Sequence, residues 1–179
     1  MATAIALLRG INAGRSNRIA MPDLRTWLEA AGFENVRTHV QSGNVLLDSG
    51  RSIAEVAPAV ADAIRRGCGL EIPVVVRTAQ EMAAIVAADP HGEVAVDPQR
   101  YFVVFCAEAP SEKVVSALPG HLAGGERFAA RGRELFTWCP DGMQNSRVMR
   151  RQTDKTLGVT ATARNWNTVT RLHEMASQT

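Results

Sequence analysis

The chain has 179 residues, of which 46% are hydrophobic, 21% charged and 5% aromatic, and its formal net charge is +2. This composition is typical of a globular protein with one or two small domains and excludes disordered and fibrous classes. A chain of this length buries roughly 70% of its unfolded surface, so folding requires neither disulfides nor a structural metal.

The cysteines and the first ten residues bear on the cellular compartment. The three cysteines are an odd number without a CxxC pair, and we interpret them as buried thiols in a reducing environment. The first residues contain only a short apolar run before Arg9, which predicts neither a signal peptide nor a membrane span. We therefore expect a cytoplasmic protein without a membrane partner.

The charges are segregated along the chain. Residues 1–47 carry five arginines against three acids, residues 48–126 six bases against eleven acids, and residues 127–179 nine bases against four acids. The ends are thus basic and the middle acidic. Arginine supplies 18 of the 20 bases, and two explanations stay open: GC-rich codon usage, or bidentate recognition of anions.

In chain order, the first 78 residues follow the pattern β-α-β-β-α-β. Pro22 is placed to open a helix, and Ser52 to cap a second one in which Pro58 marks either a kink or the first regular turn. The turn Gln41-Ser42-Gly43-Asn44 joins two β-prone runs into a hairpin. This order is that of the split βαβ, or ferredoxin-like, unit. The predicted strands are residues 3–8, 36–40, 45–47 and 73–77.

The second half repeats β-α-β-β and is then expected to differ. Thr78 and Glu81 form a capping box that predicts a helix over 79–88, and Ser111 caps a short helix. The predicted strands are residues 101–106, 126–130 and 134–139, and the predicted final helices are 146–157 and 162–176.

These elements predict an α+β fold of two ferredoxin-like (split βαβ) subdomains in tandem with additional C-terminal helices. The predicted domains are a ferredoxin-like subdomain over residues 1–78, a connecting helix and loop over 79–98, and a second subdomain with the C-terminal helices over 99–179.

Two long segments carry a family resemblance. ALLRGINAGRSNRIAMPDLRTWLEAAGFENVRTHVQSGNVLL and LGVTATARNWNTVTRL resemble the N-terminal and C-terminal signatures of the bacterial domain of unknown function family 1697. The resemblance implies an α/β protein of two ferredoxin-related halves. It implies no activity, substrate or catalytic residue.

The loop after the first strand is the first candidate site. Gly10 and Gly14 allow backbone N–H groups to face an anion, and the loop's arginines supply positive charge. The spacing does not fit GxxxxGK[ST], which excludes a P-loop NTPase, and GxGxxG is absent, so nothing supports a dinucleotide-binding fold. The alternative is a flexible connection whose glycines only make a turn. The candidate ligand-binding residues here are Arg9, Asn12, Arg15 and Arg18.

The second candidate lies in the predicted last helix, where Thr162 is the expected N-cap and Arg164 and Asn165 fall in the first turn. An arginine at the positive end of a helix is unfavourable unless an anion supplies the missing negative charge. Arg164 and Asn165 are therefore candidate ligand-binding residues. The alternative is a buried Arg164 that pairs with an acid.

The hairpin turn is a weaker candidate. Ser42 and Gly43 suit a two-residue structural turn, and Asn44 can bond to nearby backbone, although polar side chains here could also line a site. We expect this turn and the end of the first strand to lie at opposite edges of the sheet, so that the two loops need not meet.

No residue spacing predicts a catalytic or metal centre. The four histidines form no HxH or HExxH pattern and GxSxG is absent, so neither metal nor cofactor is expected and catalytic residues are unknown. Residues 89–93 place two acids near a histidine, which we interpret as a solvated connection. RNA reading is disfavoured because the first and third strands lack aromatics.

The predicted function is binding of a small anionic or phosphate-bearing ligand through the Gly/Arg loop. Three alternatives stay open: an enzyme of unrecognised mechanism with a site between the halves, a non-catalytic interaction module, and a weak nucleic-acid binder. The sequence predicts neither the ligand nor the oligomeric state.

Overall fold

The computed structural model describes residues 1–178, and the chain divides into two compact units. One unit holds residues 1–83 together with the chain from Leu172, and the other holds Ala84–Arg171. Within the described residues, no helix is both long and apolar enough to cross a membrane.

The strands are β1 (Ala2–Leu8), β2 (Glu34–His39), β3 (Asn44–Ser49), β4 (Val74–Thr78), β5 (Tyr101–Cys106), β6 (Arg127–Arg131), β7 (Glu134–Trp138) and β8 (Ala161–Asn165). The helices are α1 (Met21–Ala30), α2 (Ile53–Cys68), α3 (Ala79–Ala88), α4 (Glu112–Ala117), α5 (Arg147–Arg150), α6 (Asp154–Leu157) and α7 (Trp166–Ser177), with 3₁₀ turns at Leu118–His121 and Met143–Asn145.

The first unit is built on an antiparallel sheet of order β2-β3-β1-β4. Alternate residues of β1 face α1 and α2, as the period of two along a strand requires. Together with the facing residues of the two helices, they form a continuous apolar core. Its members include Ala4, Ala6, Leu8, Leu24, Leu28, Val56 and Val60.

Helix α2 begins at Ile53 and runs through Pro58, so the alternative in which the regular helix begins near the proline is wrong. Ser52 and Glu55 form a capping box, in which the Ser52 N–H donates to Glu55 Oε2 at 2.9 Å. An interior proline costs about 3 kcal/mol. The buried face of the helix, which includes Val60 and Ile64, offsets that cost.

The second unit has the strand order β6-β7-β5-β8, which repeats the order of the first. The expectation of a different, all-helical ending is wrong, because residues 161–165 form a strand that pairs with β5. The register extends the repeat: Arg164 lies opposite Val103 as Arg77 lies opposite Ile5. The two sheets are thus consistent with tandem ferredoxin-like halves, with α7 as an additional C-terminal helix.

The predicted helix over 146–157 is two short helices, α5 and α6. The Ser146 hydroxyl accepts the Met149 N–H at 3.2 Å, and the Thr153 hydroxyl accepts the Thr156 N–H at 3.4 Å. Two N-caps within eight residues break one helix into two, because a capping side chain competes with the helical backbone bonds.

The cysteines are only partly as expected. Cys106 and Cys139 are buried, whereas Cys68 is exposed at the end of α2, so the interpretation of all three as buried thiols is wrong for Cys68. Burial raises the pKa of the Cys139 thiol to about 11. Cys139 is therefore an inert, protonated thiol at neutral pH.

The connection over residues 89–98 is anchored rather than wholly solvated, which corrects the prediction. His91 is buried, and its Nε2 lies 3.3 Å from the carbonyl oxygen of Phe136. The Tyr101 hydroxyl donates to Asp89 Oδ1 at 2.9 Å, and its ring stacks on Trp166 with centroids 4.6 Å apart. These contacts fix the start of β5 and the connection together.

His91 makes stability fall as the solution becomes acidic. Burial lowers the pKa of His91, against smaller raising effects from Phe136 and Asp89. Below its unfolded pKa of about 6.5, the unfolded chain therefore binds more protons at this site than the folded chain does. We expect His91→Gln to reduce the loss of unfolding free energy between about pH 7.5 and about pH 5.5. Urea titrations at several pH values in this range measure the free energy of unfolding of both proteins. If it fell equally with decreasing pH in both, His91 would not be the cause of the acid sensitivity.

Candidate functional site

The loop between β1 and α1 is closed by its own hydrogen bonds. Asn12 adopts a left-handed backbone (φ +54°), and its side chain pairs with Ile19 in both directions: Nδ2 donates to the carbonyl oxygen at 2.8 Å and Oδ1 accepts the N–H at 2.9 Å. The Asn12 N–H donates to Asn17 O at 3.1 Å, and Asn17 Nδ2 donates to Gly10 O at 3.1 Å. Asparagine tolerates this backbone region, and its amide replaces missing backbone partners. The loop is thus a defined structure rather than a flexible connection.

The loop and the hairpin turn meet, which corrects the expectation that they lie at opposite edges. Strand β1 runs antiparallel to β3, with Leu7 opposite Asn44, so the end of β1 lies beside the start of β3. The Leu8 N–H donates to Gly43 O at 2.8 Å, and Asn12 Nδ2 donates to Gln41 O at 2.8 Å. We call residues 9–20 together with residues 40–43 the loop-turn surface.

The turn itself has four residues, 40–43, rather than the two predicted. Asn44 is fully buried, and its Nδ2 lies within 3.1 Å of His39 O and Ser42 Oγ, which confirms its predicted bond to nearby backbone. Val40 is 55% exposed yet has φ +51°, a left-handed conformation that is an outlier for a β-branched residue. Such strain concentrates at binding sites. No signal in the sequence identifies Val40, because valine predicts an extended backbone.

The predicted ligand residues of the loop differ in solvent exposure and in the hydrogen bonds they already make. Arg15 and Arg18 are exposed, and within residues 1–178 neither side chain has a hydrogen bond or an ion pair. Arg9 is half-buried, and its N–H donates to Pro73 O at 3.0 Å. The Asn12 amide holds the loop closed. The arginines at positions 15 and 18 are therefore the groups that the loop presents to solvent.

Arg164 and Asn165 do not lie in the first turn of a helix, which corrects the predicted placement. Both belong to β8 in the second unit, whereas the loop belongs to the first. Arg164 is 8% exposed and donates to Thr162 Oγ1 at 2.7 Å and to Ala163 O at 2.8 Å. Burial lowers the pKa of its guanidinium to about 10. Thr162, the expected N-cap, is instead one of its acceptors.

Asn165 is the residue that caps α7. Its Oδ1 accepts the N–H of Thr168 at 3.0 Å, and Trp166 follows as the first helical residue. The hydrogen bonds of Arg164 and Asn165 give both residues a structural role. A role for either in ligand binding stays a prediction.

Two units that share one strand order define the class of this protein: an α+β protein built from a repeated four-stranded antiparallel sheet. More particularly, the chain belongs to the protein family of unknown function DUF1697, whose model matches residues 1–136. The match includes the whole loop-turn surface. This membership confirms the resemblance carried by the N-terminal segment.

The fold also recurs in a solved structure, that of the conserved bacterial protein SP0830 from Streptococcus pneumoniae. The two chains align over 98% of each with a TM-score of 0.77 and 19% sequence identity. At this identity the similarity shows the fold alone. No curated protein sequence matches the chain.

Proposed function

We propose that this protein binds a small anionic, phosphate-bearing ligand at the loop-turn surface. The observation that carries the proposal is the pair Arg15 and Arg18, two exposed guanidinium groups without partners in the described chain, on a loop fixed by its own hydrogen bonds. Guanidinium groups bind phosphate oxygens through paired N–H donors.

The rigidity of the loop supports a binding role. A ligand that meets a pre-ordered surface does not have to supply the free energy of ordering it. The connection over residues 9–20 has twelve residues, which exceeds the two to six that usually join a strand to a helix. Long connections with defined internal structure commonly serve function.

A thermal-unfolding screen against nucleotides and phosphorylated metabolites tests the proposal. A ligand at about 100 times its Kd adds ~2.7 kcal/mol of stability, which raises the Tm by several degrees for a chain of this size. The double variant Arg15→Gln/Arg18→Gln is expected to reduce that shift, because it removes the binding at the loop-turn surface. Arg131→Gln, which removes an exposed arginine from the edge strand β6, is the matched control and is expected to keep it.

Two results would overturn the proposal. One is a screen in which no compound raises the Tm by more than about one degree. The other is a shift that the double variant retains in full, since the ligand would then bind elsewhere. Preference for an RNA oligonucleotide over small ligands, with affinity falling steeply with salt, would identify nucleic-acid binding instead.

A further inference from the structure

The second unit contains a pocket that is lined by basic residues and is separate from the loop-turn surface. Its volume is about 540 Å³, and three elements contribute to it: the 3₁₀ turn that ends at His121, helix α5 and helix α6. The lining residues are His121, Arg147, Arg150, Arg151 and Thr156. No acidic residue is among them.

The three arginines of this pocket are uncompensated. Within residues 1–178, none of their side chains has a hydrogen bond or an ion pair. Arginines elsewhere in the chain do pair: Arg66 Nε lies 2.8 Å from Asp62 Oδ2, and Arg100 Nε lies 3.5 Å from Asp97 Oδ2. Like charges three and four positions apart on a helical turn repel each other. Because the three side chains are exposed, this repulsion is small, and a bound anion would replace it with attraction.

The backbone that carries the arginines is fixed. Val148 and Met149 of α5 are buried in the core of the second unit. The helix is capped by Ser146, and beyond its end the buried Gln152 donates from Nε2 to Thr137 Oγ1 at 2.9 Å and to Val148 O at 3.3 Å. The backbone that carries the arginine side chains is thus fixed by core packing and by hydrogen bonds at both ends of α5. A ligand has only side-chain motion to order.

The charge and the size of the pocket indicate its ligand. Three guanidinium groups match a phosphate group, which carries more negative charge than a carboxylate and accepts paired N–H bonds. The volume falls in the usual range for small-molecule sites and exceeds what a single inorganic phosphate fills. The Thr156 hydroxyl accepts from Thr153 at 3.3 Å, which leaves its own O–H to donate.

We infer that this arginine pocket is a second ligand site, which binds a small phosphate-bearing metabolite. A nucleic acid fits it less well, because no phenylalanine, tyrosine or tryptophan lines the pocket and His121 is the one ring there that could stack on a base. The inference does not depend on the loop-turn surface, since the two sites lie in different units and share no residue.

Calorimetric titration of the full chain with pyrophosphate, in metal-free buffer of constant ionic strength, tests the inference. The starting protein is Arg15→Gln/Arg18→Gln, so that binding at the loop-turn surface does not contribute. Saturable binding is expected, and Arg147→Gln or Arg150→Gln added to this protein is expected to weaken it about tenfold or more. Arg150→Lys keeps the charge but loses the planar fork, so intermediate affinity is expected.

Two controls separate binding in the pocket from general effects of charge and of folding. Arg131→Gln in the same background removes one positive charge outside the pocket and is expected to leave the affinity within about twofold. Thermal unfolding without ligand shows whether each variant is folded. Absence of saturable binding up to about 10 mM pyrophosphate would overturn the inference. So would an equal loss in Arg131→Gln, full affinity in Arg150→Lys, or tighter binding of an RNA oligonucleotide.

Discussion

Replacement of Gly43 by alanine is expected to destabilise the protein by about 3 kcal/mol. An added Cβ would lie 2.6 Å from Leu8 Cβ and 3.2 Å from Ile11 Cδ1, and both neighbours are buried. Gly43 also has φ +87°, a conformation that costs an L-residue about 1–2 kcal/mol. Overpacking a tight core contact adds typically 1–3 kcal/mol. Urea unfolding of the variant and the parent protein measures the sum.

Gly14→Ala is the matched control, because it isolates the backbone effect. Gly14 has nearly the same conformation, φ +80°, but an added Cβ there would meet no atom within 4 Å. Its expected loss is about 1 kcal/mol, from conformation alone. Equal losses in the two variants would show that the close approach of β1 to the hairpin turn has no energetic weight.

Asn12→Ala is expected to destabilise the protein by about 3 kcal/mol, from two separable causes. The substitution removes three hydrogen bonds, two to Ile19 and one to Gln41. It also puts alanine into a left-handed conformation, φ +54°, that asparagine tolerates. The free energy of unfolding in urea again gives the total.

Two further variants at position 12 separate these causes. Asn12→Gly restores the conformational freedom but not the hydrogen bonds, so it is expected to recover about 1 kcal/mol relative to alanine. Asn12→Asp keeps the acceptor for the Ile19 N–H and loses the amide donors. If all three variants were as stable as the parent, the loop would not depend on Asn12 for its closure. Any phosphate binding by Arg15 and Arg18 would then need another source of rigidity.

The local elements were largely predictable because each depends on nearby residues. The capping box at Thr78 and Glu81 shows this: the Thr78 N–H donates to Glu81 Oε2 at 2.8 Å, and the Glu81 N–H donates to Thr78 Oγ1 at 3.0 Å. Strand β8 was missed for a physical reason. Its five residues run directly into α7, and Arg164 and Asn165 resemble the opening of a helix until pairing with β5 is known.

The candidate sites were less predictable, since each depends on residues that are distant in sequence. The loop composition makes Arg15 and Arg18 candidate residues. The prediction for the Gln41 turn is wrong, because it puts the turn at the opposite edge of the sheet, whereas Gln41 O accepts a hydrogen bond from Asn12 of this loop. The pocket arginines are apparent in sequence as the run from Arg147 to Arg151 in the basic last third of the chain. Only the break between α5 and α6, with the approach of His121, makes a pocket of them.

The sequence by itself determined the order of most strands and helices and the basic character of the chain's two ends, because these follow from periodicity, capping and composition. It also indicated the family, through the resemblance of two long segments. The tertiary structure alone decided which arginines are available to a ligand. For Arg164 the sequence leaves both ligand binding and burial open, and the structure shows that it is buried. No sequence motif singles out Arg147 and Arg150, which line an open pocket. The physical reason is that burial and ion pairing depend on which strands and helices come together, and antiparallel pairing sets that over separations no local pattern reports.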